Sequence, residues 1–129
     1  MINLLRRNNT DLLSDKVEVC APYLNKDMQY IETLIKSKSD YINKTIIMEE
    51  CSELIKEVSK SVRDSKNKKE LTEEIVDVII SLQMLMRMEH ITQDEIDREY
   101  NKKMKRNLLR IDTKQRIENL KQTSLFSIK

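Results

Sequence analysis

The sequence predicts an all-α protein, a four-helix bundle preceded by an N-terminal extension, and three observations carry that prediction. The 129-residue chain has no glycine and one proline, Pro22, whereas hairpins and tight loops draw on residues that take positive φ. Its apolar content is aliphatic with seven Met and few aromatics, and over a third of its residues are charged, the balance of helices with wide solvated faces. Apolar residues then recur at helical spacing in four successive segments. The length suits one domain with a real core and is too short for two.

Taken in order, residues 1–24 have mixed polarity and weak periodicity and read as an extension that packs on the domain or on a partner subunit. Residues 25–113 read as the helical domain and 114–129 as a helical or frayed tail. Asn25 is placed to cap a first helix with Asp27 in its opening turn, and Tyr30, Ile31, Leu34 and Ile35 repeat at helical spacing until residues 37–40 interrupt them. A second helix is expected over 41–62, where Ile47, Cys51, Leu54 and Val58 advance by four, three and four residues as one core-facing stripe. Residues 64–69 form a polar connection, with Asn67 and Glu70 spaced as a capping box for a third helix over 68–89. Within it, 75–86 reads IVDVIISLQMLM, apolar on nearly every side, so this helix is expected to be buried by several neighbours. Thr92 and Glu95 make a second capping box for a fourth helix that runs to 110 or beyond, with Ile96 and Tyr100 on its inner face. A nearly all-apolar helix leaves more hydrophobic surface than a lone thin bundle hides, so a homodimer, or else a homotetramer, is expected.

Several function classes are excluded. Without glycine there is neither a Walker loop nor a Rossmann fingerprint, so any bound phosphate must be held by cations or a helix N-terminus. Lys and Arg number 24 against 22 Asp and Glu, so no global field draws the chain to nucleic acid or membrane, and neither is expected as a partner. The apolar run at 2–5 is far too short for a signal peptide or a membrane span, which points to the cytosol. Cys20, Cys51 and the single His90 have no zinc-ligand spacing. Cys51, on the apolar stripe, reads as a small core residue.

The chemistry lies in carboxylates. Glu50 and Glu53, three apart, share a face of the second helix beside its core stripe, and Glu74 and Asp77 share a face of the third. Asp77 is the one charged residue in 75–86, and a carboxylate buried there is costly unless a cation or dense hydrogen bonding compensates it. Antiparallel packing brings the two pairs together across the groove as a hard-cation site suited to Mg²⁺. A di-iron bundle expects Glu-x-x-His, and residue 87 is Arg. The plain alternatives are a solvated acidic face and a buried Asp77 to lysine pair. On the fourth helix, Lys103, Arg106 and Arg110 fall at i, i+3 and i+7 beside Ile96 and Tyr100. They either grip phosphate oxygens or neutralise the acidic helices.

The segment EECSE at 49–53, followed after twenty residues by EIVD at 74–77, resembles the ExxE to ExxD signature of MazG-like nucleoside triphosphate pyrophosphohydrolases. KMKRNLLRI at 103–111 is similar to the basic helix that follows in such proteins, and the likeness covers about 30–112, departing from the family pattern at Ser39 and Asn43. The resemblance implies hydrolysis of a nucleoside triphosphate to the monophosphate and pyrophosphate. It implies Mg²⁺, with Mn²⁺ as a substitute, on Glu50, Glu53, Glu74 and Asp77, phosphate contacts from Lys103, Arg106 and Arg110, and Glu53 with Glu50 as the catalytic carboxylates. The competing reading is a non-catalytic helical module that senses nucleotides or binds a protein partner.

Overall fold

The computed structural model describes residues 21–24, 26–63 and 66–126. Four helices, α1 (Met28–Lys36), α2 (Asp40–Arg63), α3 (Lys68–Met88) and α4 (Gln93–Phe126), follow one another, with no strand among the described residues. The chain is all-α, and α4 runs unbroken past residue 110 through the segment expected as a helical or frayed tail. No described helix is long and apolar enough to cross a membrane. Two compact units result, one spanning Pro22–Glu95 and one containing α4 from Ile96 onward.

In the first unit α2 packs along α3, and α1 packs on α3. Glu57 meets Asn67, Glu50 meets Glu74 and Asp77, and Lys44 meets Glu89. One number falls as the other rises, so α2 and α3 are antiparallel. Their seam alternates steps of four and three, as two long helices in ridge-and-groove contact require. On α2 it runs Asn43, Ile47, Glu50, Leu54, Glu57, Ser61, and on α3 Asn67, Leu71, Glu74, Val78, Ser81, Leu85, Met88, all of them buried or half-buried. The stripe expected from hydrophobicity was different. Ile47 and Leu54 do belong to the seam, but Cys51 is only half-buried beside it and Val58 is exposed, because glutamates occupy the neighbouring seam positions.

A small core of Ile31, Ile47 and Met84, with Ile35, Ile80, Leu85 and Met88 against it, joins α1 to the hairpin. Asn43, the most deeply buried side chain described, donates to the Ile35 carbonyl at 2.8 Å and thereby ties the end of α1 to α2. Tyr30 and Leu34, which share the helical spacing of Ile31 and Ile35, are exposed. The expectation that α3 is buried on all sides also fails: Ile75, Val76 and Ile79 are 43%, 47% and 42% exposed, since only two helices flank α3 within its unit.

The helix ends show how turns are made without glycine. Ser39 caps α2 through its hydroxyl, 3.3 Å from the Ile42 amide. The box expected at α3 does not form, because the Asn67 side chain turns to the Glu57 carbonyl and carboxylate, both at 2.9 Å. The box at α4 does form: Glu95 accepts from the Thr92 amide at 2.7 Å and Thr92 Oγ1 from the Glu95 amide at 3.2 Å. Asn25 lies outside the described residues, and Asp27, expected inside α1, precedes it in a left-handed conformation with φ 53°. After α3, His90 takes φ 54°, with its amide on the Arg87 carbonyl and the Ile91 amide on the Met86 carbonyl at 2.8 Å. That is the Schellman closure, with histidine where glycine is preferred.

Candidate functional site

The site follows from the seam register. Glu50 and Glu74 occupy positions that face the opposite helix, and Asp77, one turn beyond Glu74, flanks them. Asp40 in the first turn of α2 and Lys60 and Arg63 in its last complement the helix dipole. Both carboxylate-bearing segments are therefore held in long, regular helices rather than in loops.

Oxygens of Glu50, Glu74 and Asp77 all lie within 4.8 Å of one another. That spacing is wider than the separation of neighbouring oxygens around a magnesium with bonds of about 2.1 Å, so the three side chains would turn inward to hold one ion. All the donors are carboxylate oxygens, which fits a hard divalent cation and not a soft one. Glu53 stands aside from this trio. Its Oε1 accepts from Lys56 Nζ at 2.7 Å, while its charge still acts on both Glu50 and Glu74.

Among the described residues no basic side chain forms an ion pair with this trio. Burial first, then the charges of Asp77, Glu49 and Glu53, push the Glu50 carboxyl above the usual glutamate range. Burial, then Asp77, Glu53, Glu50 and Glu57, do the same to Glu74. Asp77 itself is exposed rather than buried. The sequence argument from its apolar neighbours is corrected on this point, because Val76 and Ile79 beside it also face outward. No lysine ion pair ties it down among the described residues.

Beside Glu50 and Asp77 opens a cavity of about 170 Å³ walled by Leu34, Ile46, Ile80 and Met84, with Lys38, Asn43 and Ser81 as its other polar members. Sequence reasoning did not assign Lys38 or Ser81 to the site. The available signal was Ser81, a small polar residue at seam register one step past Glu74 and Val78 within an apolar run. Lys103, Arg106 and Arg110 belong to α4 in the other unit, where all three are exposed.

No curated protein and no solved structure matches the chain. The family model for the MazG nucleotide pyrophosphohydrolase domain matches residues 39–108, more than half of the chain, from the cap of α2 into α4. The matched span holds Glu50, Glu53, Glu74, Asp77, Lys103 and Arg106, with Arg110 just beyond it. With the acidic seam of α2 and α3 at the heart of that span, the chain belongs to the MazG nucleotide pyrophosphohydrolase family.

Proposed function

We propose that the chain hydrolyses a nucleoside triphosphate to the monophosphate and pyrophosphate, and that it does so with Mg²⁺ held by Glu50, Glu74 and Asp77. The observation that carries this reading is the approach of those three carboxylates without a basic partner among the described residues, in a seam whose other glutamate, Glu57, is held by Lys60 and Asn67. The family match supports attack on a nucleotide pyrophosphate bond, and the all-oxygen donor set favours Mg²⁺.

When bound, such an ion would neutralise the phosphate chain and lower the pKa of an attacking water. The protein's own groups supply the rest. Glu53, steadied by Lys56, lies beside the trio and orients or accepts a proton from the water, with Glu50 next to it. Lys103, Arg106 and Arg110 offer cations for the phosphate oxygens, Arg as a two-pronged donor and Lys as a point charge. The 170 Å³ cavity beside Glu50, with apolar walls and the Lys38, Asn43 and Ser81 handles, takes part of the nucleoside. The exposed row Ile75, Val76 and Ile79 supports self-association, with a dimer as the assembly.

The test is a panel of nucleoside triphosphates with products resolved as monophosphate or diphosphate. The expected result is monophosphate and pyrophosphate, dependent on Mg²⁺ and lost in Glu50→Gln. Diphosphate with orthophosphate, or turnover indifferent to a chelator, would refute the reading. Tight triphosphate binding without product favours the sensing module instead.

A further inference from the structure

The near-neutral net charge conceals a segregation along the chain. Residues 102–121, all within α4, carry eight cations against two anions, Asp112 and Glu118, while the remainder carries sixteen against twenty. At 100° and 1.5 Å per residue, Lys103, Arg106, Arg110, Lys114 and Lys121 fall in one arc about 80° wide and extend about 27 Å along the helix. All five are exposed. Of the three cations off this row, two are paired within the helix, Lys102 with Glu99 at 3.9 Å and Arg116 with Asp112 at 3.0 Å. None of the five in the row has an ion pair among the described residues. Two of them, Lys114 and Lys121, lie beyond residue 108, where the family match ends.

A row of this length exceeds what the three phosphates of one nucleotide require. We propose that it is a track for the phosphate backbone of a nucleic acid. A protein partner is a poorer fit, because protein interfaces have an apolar centre depleted of charge, and between Lys103 and Lys121 the arc holds one large apolar residue, Ile117. A membrane surface fits no better. Leu109 and Leu120 share one flank of the row, about 20° apart by the same 100° rule, and Ile111 lies on the other flank, while the face opposite the cations carries Lys105, Asp112, Arg116 and Asn119, so no apolar face stands opposite them. A phosphate backbone needs only regularly placed cations, and Arg and Lys are its commonest contacts.

The inference does not rest on the pyrophosphohydrolase reading and is tested separately from it. The full chain is titrated into fluorescein-labelled DNA 20-mers, single- and double-stranded, across a salt series. Five contacts predict log K falling against log salt with a slope of about −3.5 for single strands and about −4.5 for duplex. The double variant Lys114→Gln, Lys121→Gln keeps good helix formers in place. It should make the slope shallower by roughly 1.4 for single strands and roughly 1.8 for duplex while leaving triphosphate turnover unchanged. Poly-glutamate at equal charge should compete poorly. No binding at low salt, an unchanged slope in the variant, or loss of turnover with it would overturn the proposal. So would equal competition by poly-glutamate, which would indicate an acidic protein partner.

Discussion

Glu50 and Glu57 stand on the same helix, seven residues apart, at equivalent positions of the same seam, yet their surroundings are opposite. Glu57 accepts hydrogen bonds from Lys60 and from Asn67, and these hold its carboxyl below the ordinary range. Glu50 faces Asp77, Glu49 and Glu53, and burial adds to their repulsion. The first is a buried charge with its partners supplied by the chain, the second a half-buried one with no basic partner among the described residues. A helical seam absorbs a glutamate by either route.

The largest expected effect separates the two on activity. Glu50→Gln should lower pyrophosphate release on the order of 10³-fold, the scale of several kcal/mol of metal-linked charge stabilisation. Glu57→Gln should leave turnover near wild type. Equal losses in both variants would collapse the distinction.

Next in size is the response to the ion itself. Saturating Mg²⁺, at about a hundred times its Kd, should stabilise the fold by about 2.7 kcal/mol, read as a rise in Tm. That rise should vanish in Glu50→Gln and Glu74→Gln and persist in Glu57→Gln. In a chelator, Glu50→Gln should melt above wild type, since it removes one of the mutually repelling charges.

The pH dependence in chelator should then have two arms. Glu50 and Glu74 bind protons more tightly in the folded chain, so the stability they contribute is whole below the unfolded value of 4.5 and is lost as pH rises through their raised values. Glu57 runs the other way. Its contribution is present above 4.5 and is lost as pH falls through its lowered value. Thermal melts across the carboxylate range should show Glu50→Gln flattening the first arm and Glu57→Gln the second.

The smallest and sharpest test converts one glutamate toward the other. Lys60→Met removes the first of Glu57's partners, and carboxyl NMR should then place the Glu57 pKa higher, with a slight loss of stability. An unmoved pKa would mean that Asn67 alone sets that environment.

This contrast also explains what could be read from the residues alone. The four helices, their approximate bounds and the Thr92 to Glu95 cap follow from periodicity and local chemistry that act over three or four residues. The proximity of Glu50, Glu74 and Asp77 was legible because antiparallel packing of two i, i+3 pairs leaves few alternatives. The seam itself was misread. Hydrophobicity favours Cys51 and Val58 over Glu50 and Glu57, and one of the two partners that make a glutamate tolerable at 57, Asn67, comes from beyond the end of α2. The exposure of Asp77 was hidden for a related reason: an apolar run signals burial but does not say by what. On α3 the chain's own helices cover only part of the circumference.

One corner of the molecule carries an untapped reserve. His90 closes α3 in a conformation that disfavours any residue with a Cβ by roughly 1 to 2 kcal/mol, and glycine there gives back part of the gain through the freer unfolded chain. His90→Gly should therefore raise the melting point by a few degrees, with net gain about 1 kcal/mol, and should leave turnover unaltered. A chain without a single glycine would thus be made sturdier by adding its first.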